Sequence, residues 1–131
     1  MIVLDASAAV EWLLGLPLAD SVAARLEATE RTVHVPHLLA VEVAQVICRY
    51  VANGAVTIDR GAAALVDLAD LDAARHAHEP LLPLIWRLRS NLTAYDAAYV
   101  ALALALDAPL VTLDHRLATA PHGAAIDLIV A

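Results

Sequence analysis

The chain has 131 residues and a mass of 13.8 kDa, the size of one compact domain spanning residues 1–131. Hydrophobic residues make up 61% and charged residues 18%, which excludes disorder because ample apolar surface is available to bury. The net charge is −7 and all eight cations are arginine, so chemistry that needs a lysine, such as a Schiff base or a Walker-type phosphate loop, is closed to it.

Phenylalanine is absent as well, which argues against a platform of stacked aromatics of the kind that reads single-stranded RNA. The single thiol, Cys48, cannot form an internal disulfide or a cysteine-rich zinc site; its apolar helical context predicts a buried, inert group. No stretch approaches the roughly 20 apolar residues that cross a bilayer, and no basic leader precedes Asp5 and Glu11. A cytoplasmic protein with no membrane contact is expected.

The elements alternate. Ile2–Leu4 reads as a short strand ending at Asp5, followed by a helix over Ser7–Leu14 with Ser7 as N-cap. After Pro17 a second helix is expected over Leu18–Thr29, then a strand over Thr32–Val35 stopped by Pro36. A long helix over His37–Asn53 is closed by Gly54, and another covers Ile58–Ala74 with Asp67, Asp70 and Asp72 on a solvated side. Arg75–His78 is a weak strand signal, Leu81–Arg89 a short helix and Thr93–Asp107 a strongly apolar one. Leu110–Leu113 reads as a strand ending at Asp114, and a turn or short helix from His115 leads to a last strand, Ile126–Val130. Strands separated by helices predict a three-layer α/β domain: a parallel sheet of four or five strands flanked by helices.

Four of the 15 acids stand out. Asp5 and Asp114 each end an apolar strand, at the carboxyl edge where open α/β sheets place their ligands. Glu42 lies in a helix among Leu38, Leu39 and Val46, and Asp96 is the only charge between Thr93 and Leu106. Each has an ordinary structural use too. Asp5 and Asp114 can cap helices, Thr93-Ala-Tyr-Asp96 fits a capping box, and Glu42 can pair with Arg49 two turns on. The joint pattern is better explained by a hard divalent cation, Mg²⁺ or Mn²⁺, shared by the carboxylates. His34, His37, His76 and His78 lack the nearby third and fourth ligands of a zinc site and read as surface or capping groups.

The order MIVLDASAAVEWLL, VPHLLAVEVAQV and LTAYDAAYVALALALDAPLVTLDHRL resembles the PIN domain, and within it the VapC-type toxins of toxin–antitoxin pairs. The likeness covers essentially the whole chain. Its most specific parts are the opening strand into Asp-x-Ser, the Tyr-Asp-Ala-x-Tyr helix and the Thr-x-Asp-x-x-Leu near the end. The resemblance implies a metal-dependent endoribonuclease acting on structured RNA of the transfer or ribosomal class. It places the acidic set on Asp5, Glu42, Asp96 and Asp114 and matches Ser7 to the hydroxyl two residues after the first acid. It also implies a homodimer and a cognate antitoxin.

On this reading one or two Mg²⁺ or Mn²⁺ ions are held chiefly by Asp5 and Asp96, with Asp114 a further ligand and Glu42 binding metal or orienting water. Ser7 and Arg116 are the candidate substrate contacts, Arg116 because a guanidinium can grip a phosphate bidentately. A phosphoacceptor receiver domain would need paired acids after the first strand and a late lysine, and a haloacid-dehalogenase-like phosphatase would need Asp-x-Asp where Asp5-Ala6-Ser7 stands. The alternative that remains is a non-catalytic PIN-like scaffold binding RNA or protein without cutting it.

Overall fold

A computed structural model describes residues 1–28 and 30–131. Five strands, β1 (Ile2–Leu4), β2 (Val33–Pro36), β3 (Ala74–His76), β4 (Leu110–Thr112) and β5 (Ile126–Leu128), form one parallel sheet in the order β3-β2-β1-β4-β5. Seven helices lie between them: α1 (Ala6–Leu13), α2 (Ala19–Leu26), α3 (Leu38–Ala52), α4 (Ile58–Asp70), α5 (Leu82–Arg87), α6 (Ala94–Leu106) and α7 (His115–Thr119), with a 3₁₀ turn at Glu79–Leu81 before α5. The five-stranded α/β architecture is the one expected from the alternation of elements.

The order follows from chain chirality. Parallel strands are joined by right-handed crossovers, so the run β1 to β2 to β3 lays α1–α4 on one face. The chain then reverses direction across the sheet, which lays α5, α6 and α7 on the other face. The packing agrees: α1 meets α2 and α3, α3 meets α4, and α6 meets α5, β1 and β2. The central strands are covered on both sides. Every residue of β1 and β4 is fully buried, which explains why both read as unbroken apolar runs rather than alternating ones. The edge strands β3 and β5 are more exposed. Among the described residues no helix is long and apolar enough to cross a membrane.

Helix α6 is the core's main plank. Ala97 through Ala103 are buried without interruption, and the helix ends at Asp107 in the left-handed region, with φ of 49°. On the opposite face α3 and α4 approach closely at Gly61, where a Cβ would meet Val51 Cγ2 at 3.0 Å and Ile47 Cγ2 at 3.1 Å.

Several local expectations are corrected. Asp5, not Ser7, is the N-cap of α1, since its extended backbone directly precedes the first helical residue. Helix α2 ends at Leu26, and Thr29 lies outside the described residues. Helix α4 stops at Asp70 because the chain must turn to enter β3 at Ala74. Cys48 is exposed: the buried stripe of α3 runs through Leu39, Val43 and Ile47, and Cys48 falls one step off it. The histidines are structural partners. His34 Nδ1 and His76 Nε2 share a hydrogen bond of 2.9 Å across β2 and β3, and His78 Nε2 accepts the Leu38 N–H at the start of α3.

Truncating the centre of this core should be costly. Leu102→Ala, at a position 2% exposed in α6, is expected to lose about 2–5 kcal/mol. Urea unfolding checks this through a lower midpoint at unchanged slope.

Candidate active site

The sheet order reverses between β1 and β4, which opens a crevice at their carboxyl ends. Asp5 follows β1 and Asp114 follows β4, so the two lie on either side of that crevice. Asp96, in the first turn of α6, and Glu42, in the second turn of α3, complete an acidic cluster in which the charges act on one another. Residues 109 positions apart meet because of topology alone.

Asp5 is the anchor. It is 6% exposed, and with Thr112 it makes up the buried polar residues of the core among the described residues. Its Oδ1 accepts the Ala6 N–H at 2.8 Å. Its Oδ2 accepts two hydroxyls, Ser7 at 2.8 Å and Thr112 at 2.6 Å. Each hydroxyl in turn accepts a backbone N–H at 3.0 Å, Ser7 from Leu113 and Thr112 from Asp114. With both protons committed to the carboxylate, the 3.2 Å approach of the two hydroxyls is proximity rather than a bond. Burial raises the Asp5 pKa, and these donors oppose the rise without cancelling it.

Glu42 sits against Tyr99 of α6. Glu42 Oε1 and Tyr99 Oη are buried and without a hydrogen-bond partner at normal distance, yet each is the other's polar neighbour. Burial pushes the glutamate up; the phenol opposes that, while Asp5 and Asp96 add repulsion. Burial and then Glu42 push the Tyr99 phenol up, so it stays protonated and aims a donor at the acids. Asp96 is raised by burial first and by Asp5 next. The Thr93 hydroxyl accepts the Asp96 N–H at 3.2 Å, so the capping role and a place in the cluster coexist.

Asp114 behaves oppositely. It caps α7 by accepting the Arg116 N–H at 2.9 Å, and the Arg116 guanidinium grips it, with Nη2 2.8 Å from Oδ2 and Nε 3.3 Å from Oδ1. That guanidinium holds the Asp114 pKa below the ordinary carboxylate range, and it reaches Asp96 at 3.9 Å. Glu42 makes no ion pair with Arg49 among the described residues.

The acids expected from the sequence thus come together. The two proposed substrate contacts are placed differently. The Ser7 hydroxyl is spent on Asp5 and Leu113, and Arg116 lies on carboxylates in this conformation although its side chain is 79% exposed. Two contacts escaped the sequence reading, that of Thr112 with Asp5 and that of Tyr99 with Glu42. Thr112 carried a signal, being the polar residue that ends an apolar strand two places before Asp114. Tyr99 stood in the Tyr-Asp-Ala-x-Tyr motif, but a tyrosine on an apolar helix reads as core, so nothing in the sequence pointed to its place beside Glu42.

A cavity of about 460 Å³ opens beside the acids, lined by Asn91, Thr93, Asp96, Arg116 and Thr119 among others. Larger cavities of about 510 and 540 Å³ lie against Trp12 at the other end of the strands, but no buried acid opens into them. Chemistry rather than volume selects the site. The orphaned Glu42 oxygen and the unbalanced carboxylates suit a hard cation. Among the described residues no three His, Cys, Asp or Glu side chains gather tightly enough to enclose one. Mg²⁺ takes one or two carboxylates and leaves its other positions to water and phosphate oxygens.

The fold and the acids define a class. The PIN domain profile matches residues 2–123, and the chain belongs to the PIN domain family. Ribonuclease VapC12 of Mycobacterium tuberculosis is 42% identical over 130 residues, 98% of this chain and 99% of that protein. Ribonuclease VapC1 of the same organism is 43% identical over 120 residues, covering 91% of this chain and 90% of its own. Among solved structures, VapBC2 from Rickettsia felis, bound to a DNA fragment from its promoter, superposes with a TM-score of 0.71 at 14% identity, covering 98% of each chain. At that identity it speaks for the fold.

The clustered charge has a stability consequence. A carboxylate whose pKa is raised on folding keeps a proton the unfolded chain has lost, so its stabilisation is full at low pH and falls as pH rises through the raised value. Asp5, Glu42 and Asp96 act in this direction. Asp114 acts against them, contributing above its unfolded pKa and losing that contribution as pH falls through its lowered one. In EDTA, Asp96→Asn should therefore raise the thermal midpoint at neutral pH and flatten its fall as pH rises above the ordinary aspartate value of 3.8. A variant that melts earlier than the parent at the upper pH would show that the repulsion is not there.

Proposed function

We propose that this protein is a metal-dependent endoribonuclease of the toxin–antitoxin kind, hydrolysing phosphodiester bonds in structured RNA of the transfer or ribosomal class. The observation that carries the reading is the acidic cluster at the switch point, with three of its four carboxylates pushed above their ordinary range and one arginine to balance them. The family and the ribonuclease names of its relatives support the substrate.

In this reading Asp5 and Asp96 are the principal ligands of one or two Mg²⁺ or Mn²⁺ ions, with Asp114 a further ligand. The ions supply charge for the phosphoryl oxygens and acidify water. Asp5 is held in one rotamer by Ser7 and Thr112, so it offers Oδ1 and Oδ2 in a fixed direction. Glu42, whose pKa burial raises, is a stronger base than a free carboxylate and is suited to accept a proton from attacking water or to orient it. Arg116 is the cation best placed to meet a phosphate, since the guanidinium already lies at the mouth of the cavity. The protein works in the cytoplasm as a homodimer, and a cognate antitoxin holds it inactive.

Total cellular RNA incubated with the purified chain should yield discrete fragments with Mg²⁺ or Mn²⁺ and none with EDTA. Asp5→Asn and Asp96→Asn should each lower the rate by at least about 100-fold. Cleavage that survives both substitutions would remove these residues from the site, and metal binding without cleavage of any RNA would favour the scaffold reading. Light scattering at micromolar concentration should return twice the 13.8 kDa of one chain; a monomer would count against the homodimer.

A further inference from the structure

Residues 80–95 are chemically unlike the rest of the chain. No acid lies between Glu79 and Asp96, yet Arg87 and Arg89 do, and no other acid-free stretch of this −7 protein holds two arginines. Of the other cations, Arg25 pairs with Asp127 and Arg116 with Asp114, Arg60 and Arg75 donate to backbone carbonyls, and Arg31 and Arg49 stand singly in other parts of the chain. Among the described residues neither Arg87 nor Arg89 meets a carboxylate.

The same stretch carries the exposed aromatics. Of the five tryptophans and tyrosines, Tyr99 is buried and Trp12 and Tyr50 are partly covered, whereas Trp86 is 66% and Tyr95 64% exposed. Trp86 lies in the last turn of α5, and Tyr95 stands next to Asp96 in the first turn of α6. The Arg89 guanidinium lies 4.3 Å from the centre of the Trp86 ring, and its Nη1 donates to the Trp86 carbonyl at 2.9 Å, which fixes the stack. An apolar cavity of about 440 Å³ runs beside them, walled by Leu82, Ile85 and Leu92. Leu92 is also a wall of the polar cavity that holds Asp96 and Arg116. One track therefore leads from the acids, past Leu92, to an exposed cationic aromatic stack.

We propose that Trp86 and Arg89, with Tyr95 and Arg87, form a subsite for an unpaired RNA nucleotide next to the cleaved phosphate. A base stacks on the Trp86–Arg89 pair and the flanking phosphate meets the arginine charge. Base–aromatic stacking tolerates any base, and arginine extends the stacking surface. The absence of phenylalanine argued against an aromatic platform, yet the few aromatics present are concentrated where one is needed. Single-stranded loops of folded RNAs expose such bases. A second copy of this chain could cover the same apolar face, but two arginines without a carboxylate partner among the described residues, in a stretch that holds no acid, match a polyanion better than they match an identical cationic patch.

The subsite rests on the ribonuclease reading for its role and is tested apart from it. In the Asp96→Asn chain with Mg²⁺, fluorescence anisotropy of a labelled 12-nucleotide single-stranded RNA should show binding that Trp86→Ala and Arg89→Ala each weaken about tenfold. Trp86→Tyr should retain most of it, and a blunt duplex of the same length should bind with little dependence on Trp86. In the otherwise unaltered chain Trp86→Ala should raise KM with little change in kcat. Equal binding by parent and Trp86→Ala, or no binding of single strands by the parent, overturns the subsite even if the protein cleaves RNA. A dimer that becomes a monomer in Trp86→Ala assigns the face to a second copy instead and equally overturns it. Trp86-dependent binding in a chain that never cleaves RNA would uphold the subsite while removing the nuclease reading.

Discussion

The structure turns on one buried carboxylate. Asp5 ends a strand whose three residues are fully buried, and a charge there costs several kcal/mol unless donors meet it. The donors come from two places: Ala6 and Ser7 follow Asp5 in the chain, while Thr112 arrives from β4, 107 residues away. Thr112 reaches Asp5 because β4 lies beside β1, and β4 lies there because the chain reverses direction across the sheet after β3. The hydroxyl bracket therefore ties the sheet order to the site. The backbone N–H groups of Leu113 and Asp114 close the bracket and set the direction in which the chain carries Asp114 away.

Around that anchor the site trades stability for charge density. Asp5, Glu42 and Asp96 repel one another in a half-buried space, and the rest of the fold must hold them against that repulsion. The strongly apolar α6 does so, since its seven consecutive buried residues leave Asp96 no freedom to swing away with its helix. Tyr99, in the same run, holds its phenol against Glu42 from inside the core. Arg116 relieves part of the charge on Asp114 and a smaller part on Asp96, but it is a single cation, mostly in solvent, where screening weakens it. The balance remains negative at the one place where the sheet opens.

Most of the fold was legible because its signals are local and repeated. Apolar runs of three or four residues between helical stretches can hardly be anything but a parallel sheet, and Asp5 and Asp114 mark strand ends by themselves. Glu42 and Asp96 were legible as charges on apolar helices. What escaped depends on distance in sequence. The meeting of Thr112 with Asp5 needs the strand order, and the role of Tyr99 needs its approach to Glu42, a residue of a helix from the sheet's other face. Arg116 was found as a residue but not as a contact, because its preference for Asp114 is set by the geometry of a five-residue helix. Cys48 failed for a simpler reason: an apolar neighbourhood in sequence places a residue on a helix, not on the helix's buried side.

A chain of net charge −7 seems a poor partner for a polyanion, and the layout of its charges resolves this. At physiological ionic strength charges beyond about 8–10 Å are largely screened. Distant acids such as Asp67 and Asp70 on α4 and Asp72 just beyond it slow the encounter with a polyanion but contribute little to the bound state. Affinity is decided locally. The sixteen residues before Asp96 contain no carboxylate and carry two arginines and two exposed aromatics. Sparse cations give weak grip on any phosphate backbone, so discrimination must come from stacking and shape rather than from charge. With the proposed subsite, an enzyme built this way would pass over most RNA and act where a loop presents an unpaired base at the right distance from the bond to be cut.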